Sequence, residues 1–315
     1  MKQLLSSYWN MNNRTGIIYL VLVIGMTCLT IWGTADLNDW RNNFYTSLEA
    51  HNMAAFWPLM LHFSLVAAAL VLLYAFITYV QQRLALDWRS NLTDYFESRW
   101  IKSRVAVDGD NPDQRIAEDV NKFCSGIISL SSTLLTQGIM LVIFAIILWN
   151  LSSGLFDIPG LLLYISLGYA ILGTSIIGWI GYPLVNIEFE TQKREADYRY
   201  GLAIDRVKTS EERDKTGHWL RYDSLVEILY VSFTRQKLVN FFVSGFNQIE
   251  VIIPFLVIAP FYFGSDLKLG WLMATAQAMS MVQNSVAYLV NNYAELARLK
   301  ATVNRLTVFD KQLGE

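Results

Sequence analysis

The sequence predicts an all-α, polytopic membrane protein, on three observations. Hydrophobic residues make up 53% of the 315 and charged residues only 17%, against roughly 25% charged in an ordinary soluble domain. Six apolar stretches, about residues 17–33, 56–79, 127–148, 161–185, 246–263 and 269–290, match or approach the roughly 17–25 residues a helix needs to cross a bilayer. The long polar intervals between them, about 81–124 and 186–245, keep a helical beat. The chain therefore reads as a single transmembrane domain over residues 1–315, with long helical extensions outside the lipid bilayer.

Taken in order, residues 1–16 are polar, with Lys2 and Arg14, and are expected to begin as an amphipathic stretch on the membrane surface. No small-residue cleavage site follows the first apolar stretch, so it reads as a span and not as a signal peptide. Residues 36–53 read as a polar, aromatic loop, with Trp40, Phe44 and Tyr45 suited to the membrane interface. Beyond the second span, Leu84, Trp88, Leu92, Tyr95, Phe96 and Trp100 keep a helical rhythm. Twenty such residues would carry that helix about 30 Å out of the bilayer. Gly109, Asn111 and Pro112 mark the turn back.

The polar island from 111 to 120, NPDQRIAEDV, then reads as a helix start. Asp110 or Asn111 would be the N-cap, Pro112 fits the first helical position, and Asp113 suits the positive end of the dipole. Ile116, Val120, Phe123 and Ile127 form the apolar seam that leads into the third span. In the fourth, Gly168, Gly173, Gly178 and Gly181 are expected to thin one side for close packing. The interval that follows is expected to reverse at residues 214–217. The fifth span contains Glu250 and is expected to be broken by Pro254 and Pro260, and the sixth is unusually polar for a lipid-facing helix.

All but two of the 25 Lys and Arg, Arg41 and Lys268, fall in the termini and the two long intervals. The positive-inside rule then places both termini and both intervals in the cytoplasm. The net charge of −2 offers no basic surface for nucleic acid. Cys28 and Cys124 form no disulfide framework, and His51, His62 and His218 are scattered, so no metal site and no cofactor site is expected. His62 reads as a packed residue. No nucleophile or acid–base constellation points to an enzyme.

Six spans with two long cytoplasmic excursions resemble the exporter-type transmembrane domain of ABC transporters. The segment 111–119, NPDQRIAED, resembles the first intracellular-loop motif of peroxisomal-type ABC half-transporters and their bacterial relatives, including the SbmA/BacA family of peptide-antibiotic uptake proteins. Residues 37–45 (LNDWRNNFY), 188–199 (EFETQKREADYR), 295–300 (ELARLK) and 304–306 (NRL) are similar to further segments of that group, in matching order. No G-x-x-x-x-G-K-[ST] phosphate loop occurs in the 315 residues, whereas ABC half-transporters would continue after the segment matching residues 305–309 into a nucleotide-binding domain. The resemblance implies a homodimer in the bacterial inner membrane that imports peptides or peptide-like antibiotics on the proton gradient. The alternative is the membrane half of an ATP-driven transporter whose ATPase lies on another chain or is missing.

Proton coupling needs carboxylates in an altered environment. Glu250, inside a span, is the sharpest candidate. Glu188, Glu190 and Glu195 follow, the first and last two helical turns apart on one face and Glu190 elsewhere, with Lys193, Arg194 and Arg199 as possible partners. Gln277, Ser280, Gln283 and Asn284 of the sixth span are candidates to line a cavity or to bond to neighbouring helices. Asn111, Pro112, Asp113, Gln114, Arg115, Glu118 and Asp119 form the cytoplasmic coupling motif, read as a brace for the inner helix ends.

Overall fold

The computed structural model describes residues 14–102, 112–153, 158–206, 208, 215–264, 266–291 and 293–313. Asp110 and Asn111, the expected N-caps, and the turn residue Gly109 lie outside them. The described chain is helical and contains no β-strand. Its helices are α1 (Arg14–Glu49), α2 (Met53–Lys102), α3 (Pro112–Ser152), α4 (Leu161–Gly181), α5 (Pro183–Asp205), α6 (Lys215–Gly264), α7 (Leu269–Asn291) and α8 (Tyr293–Gln312). Two compact units form, residues 1–167 with 255–315, and residues 168–254.

In the first unit α1 and α2 run antiparallel about a turn at Ala50–Asn52, where His51 takes a left-handed φ of 53°. The expected loop over 36–53 is instead helix as far as Glu49. No Gly or Pro interrupts residues 34–49, and the aromatic residues pack helix to helix. Trp40 stacks on Phe44 at 4.7 Å, meets Phe63 of α2 at 4.7 Å, and donates its indole N–H to the Leu59 carbonyl at 2.7 Å. These rings fix the register of the hairpin, a tertiary role that the interface reading missed. Lower down, a Cβ on Gly33 would sit 2.9 Å from Leu70, so the helices pack closely there.

Helix α2 runs unbroken for 50 residues, about 75 Å at 1.5 Å per residue. Its polar half carries a fully formed core. Leu84, Trp88, Leu92 and Phe96 are buried against Val120, Phe123 and Cys124 of α3 and Leu306 and Phe309 of α8. Trp88 meets Phe123 edge-on at 5.4 Å, and Phe96 meets Phe309 at 5.5 Å.

Among the described residues five stretches, α1, α2, α3, α4 with α5, and α6, are long and apolar enough to cross a membrane. The stretch expected as the sixth span is a helix, α7, whose 23 residues are about 35 Å long. It falls outside that set because its Gln, Ser, Thr and Asn residues lower its hydropathy. It packs against α1 and α3, and Thr275, Ala278, Met279 and Val282 have no exposed surface. Gly270 permits the contact with α1: a Cβ there would collide with the Asn42 carbonyl oxygen and the Thr46 hydroxyl. The Glu49 carboxylate also accepts the backbone N–H of Leu269 at 2.8 Å, so α1 caps α7.

In the second unit, residues 168–181 of α4 lie beside α6. Tyr169 donates its hydroxyl proton to the Phe246 carbonyl at 2.7 Å, and a Cβ on Gly173 would lie 2.9 Å from the Phe246 ring. Gly173 thus serves the expected close packing, whereas Gly168 and Gly181 have no atom within 4 Å of a built Cβ. The fourth span is interrupted at Tyr182, and Pro183 starts α5 at the helical position where its missing N–H costs least. Pro254 and Pro260 do not break α6, which is continuous from Lys215 to Gly264. Membrane helices tolerate proline because neighbouring groups satisfy the freed backbone. Of the expected reversal at 214–217, residues 215–217 are already helical, and Asp214 lies outside the described residues.

Candidate functional site

The coupling motif builds an ion-pair centre. Pro112–Gln114 open the helix, and Arg115–Asp119 form one π-helical turn before the α-helix resumes at Val120. Such turns recur at functional sites. The wider turn sets Asp119, whose side chain is 2% exposed, between two cations. Arg115 donates to it at 2.7 Å, and Arg305 of α8 donates through Nε and an Nη, both at 2.9 Å. Burial alone would push the Asp119 carboxyl up, but the hydrogen bonds and charges of Arg305 and Arg115 outweigh it. Asp119 is held below its ordinary value. Asp119 therefore stays ionised across physiological pH and ties α3 to α8. Glu118 lies outside the centre, paired with Lys122 at 2.9 Å on the exposed face. Asp113 and Gln114 are exposed and Pro112 half-buried. A second clasp joins α2 to α8: Tyr95 donates to Asp310 at 2.9 Å, and Arg99 bonds to both.

The membrane part of the first unit holds several polar groups. Of the α7 candidates, Gln277 and Ser280 are half-buried and Asn284 is exposed, donating to Ser280 at 3.2 Å. Gln283 points elsewhere: it is 3% exposed, and both its amide oxygen and nitrogen lack hydrogen-bond partners. Two residues on, buried Ser285 bonds to Gln137 of α3 at 3.1 Å. A cavity of about 230 Å³ opens between α1, α2 and α3, lined by Thr27, Thr30, Thr78, Ser132, Thr133 and Thr136 among others. Contrary to the packed reading, His62 is 47% exposed and its Nε2 lies 2.7 Å from Asp36 Oδ2.

In the second unit Glu250 is half-buried on α6, and its charge acts on the Tyr169 phenol. Glu188 and Glu195 are exposed and Glu190 is half-buried. Of the cations expected beside them, Arg194 reaches across to α6, donating to the Ser224 carbonyl at 2.6 Å and to Glu227 at 3.3 Å. Glu188 instead accepts from Gln192 at 3.1 Å. His218, read as isolated, bonds to Asp205 at 2.8 Å, which also pairs with Lys208 at 2.7 Å. With Tyr198, Lys215, Trp219 and Tyr222, His218 lines a cavity of about 440 Å³.

Among the described residues no cluster of His, Cys, Asp and Glu could hold a metal ion. The pairs that sequence reasoning missed, Asp36 with His62 and Asp205 with His218, join residues on successive helices. Only the register of each hairpin brings them together.

Comparisons with known proteins point one way. A family model described as the SbmA/BacA-like family matches residues 7–314. The inner membrane ABC transporter ATP-binding protein YddA of Escherichia coli is 27% identical, covering 97% of this chain and 59% of its own. ABC transporter D family member 2, chloroplastic, of Arabidopsis thaliana is 28% identical, over 98% of this chain and 45% of its own. An uncharacterized ABC transporter ATP-binding protein of Haemophilus influenzae is 28% identical over 83% and 47%. The chain spans about half the length of the curated relatives it matches.

Proposed function

We propose, since the chain belongs to the SbmA/BacA-like family, that it is a secondary transporter importing peptides or peptide-like antibiotics on a proton gradient. Two copies would enclose the path, because one set of six such helices makes half of a central cavity. Alternating access would expose the cargo first to the external side and then to the cytoplasm, with the polar faces of α1, α3 and α7 turned to the path.

Glu250 carries the reading. It is the one acidic residue in the apolar part of α6, residues 246–264. Its neighbours Ile249, Val251 and Ile252 are each more than half exposed, as side chains facing lipid would be. An ionisable group inside a span is costly, which makes it by default a functional candidate. Protonation removes the charge and with it the cost of moving the group into a closed, drier state. Glu250→Gln, which mimics the protonated form, is expected to slow gradient-driven uptake at least tenfold in proteoliposomes while leaving cargo binding intact. Uptake at the wild-type rate would remove Glu250 from the mechanism.

A second reading keeps the membrane fold and changes the energy source. It is favoured by the curated relatives, which are named ABC transporter ATP-binding proteins and extend well beyond the matched half. In that reading the Asp119 centre would be part of the surface through which an ATPase drives the helices. Uptake that requires a partner ATPase and nucleotide would favour it.

A further inference from the structure

We propose that Asp36 and His62 form a proton-binding site within the membrane, distinct from Glu250; the proposal rests on the proton-driven reading above. The depth of the pair follows from α2. Met53, Trp57, Leu61, Leu65, Leu72, Phe76 and Tyr79 recur at helical spacing and are each more than half exposed, which makes a continuous apolar outer stripe. No Asp, Glu, Lys or Arg occurs from Met53 to Gln82. The stripe is about 39 Å long, against a hydrocarbon core of about 30 Å. His62 lies about 14 Å from its Met53 end and about 26 Å from its Tyr79 end. Any 30 Å layer fitted within the stripe therefore contains His62, and Asp36 with it.

The charges around the pair are few. Neither α7 nor α3 beyond Lys122 carries Asp, Glu, Lys or Arg, and His62 is the only titratable group besides tyrosine on α2 before Arg83. On α1 the neighbours are Asp39, one turn on and in electrostatic contact with Asp36, and Arg41. Glu49 lies three turns further and is engaged by Tyr262 at 3.0 Å and by the Leu269 N–H. With Asp36 ionised, His62 Nε2–H donates to it and Nδ1 keeps a lone pair. The pair then carries one negative charge beside Asp39. A proton delivered to Nδ1 by hydronium from the acidic side, which leaves as water, makes an imidazolium–carboxylate pair of zero net charge, and the same proton passes from Nδ1 to water when the site opens to the other side. Histidine is the residue suited to such exchange near neutral pH.

The test uses purified protein in proteoliposomes, a fluorescently labelled oligo-arginine peptide and an internal pH dye. Asp36→Asn and His62→Gln are expected to reduce gradient-driven uptake and the accompanying proton entry at least tenfold and to flatten the pH dependence of uptake. Counterflow of labelled against unlabelled peptide, with no gradient, is expected to persist. Two outcomes overturn the site: variants that accumulate peptide like wild type, or variants that lose counterflow too, which would make the pair a helix clasp. A wild type indifferent to the gradient would instead overturn the proton-driven reading itself.

Discussion

Asp119→Ala is expected to destabilise the protein by about 3 kcal/mol, the lower end of the range for breaking a buried ion pair. The carboxylate is 2% exposed and receives three hydrogen bonds from two guanidinium groups. Removing it leaves both cations facing each other at the junction of α3 and α8. The loss stays at the low end because Arg305 is 41% exposed and water compensates it in part. Arg115→Ala should cost less, since Arg305 still holds the carboxylate. The pH dependence follows from the direction of the Asp119 shift. Its folded value lies below the unfolded one, so the contribution is fully present above about pH 4 and is lost as pH falls through the folded value. Thermal unfolding in detergent should show wild type and Asp119→Ala well apart at pH 7 and converging only below about pH 4. Convergence already at pH 6 would mean that Asp119 is not held ionised by these arginines.

Gly270→Val is expected to cost at least the roughly 1–3 kcal/mol typical of overpacking. The new Cβ would overlap a backbone carbonyl of α1, at Asn42, which cannot rotate away like a side chain. Helices α1 and α7 would have to separate, and the Glu49 cap on Leu269 would be pulled open with them. Gly25→Ala supplies the control, because nothing lies within 4 Å of a Cβ there and alanine is the better helix former. Thermal unfolding should therefore fall for Gly270→Val and hold or rise for Gly25→Ala. A variant at 270 as stable as wild type would show that the two helices do not meet as described.

What could be read from the chain was whatever repeats along one helix. The spacing of Leu84, Trp88, Leu92 and Phe96 marks a buried stripe without reference to any partner, and all four are buried. The polarity of Gln277 to Ser285 likewise marks α7 as a helix set apart from lipid. What could not be read depends on register between helices. Asp119 and Arg305 are 186 residues apart in sequence and Asp36 and His62 are 26 apart. Neither spacing has a local signature. Local rules also misread residues 36–49 and 254–260. Polar residues looked like a loop where aromatic packing sustains a helix, and prolines looked like breaks where the membrane helix continues. The Glu188, Glu190 and Glu195 group shows the opposite limit: its helical faces are legible, but one of the three cations expected to serve it, Arg194, turns to the neighbouring helix.

The central claim is that the chain moves peptide on a proton gradient without nucleotide. Its most direct test is uptake of a labelled cationic peptide into proteoliposomes that contain only the purified protein, under an imposed pH gradient. The account predicts accumulation that a protonophore abolishes and that ATP does not change. No accumulation under the gradient, with uptake restored by an added ATPase partner and ATP, would contradict it.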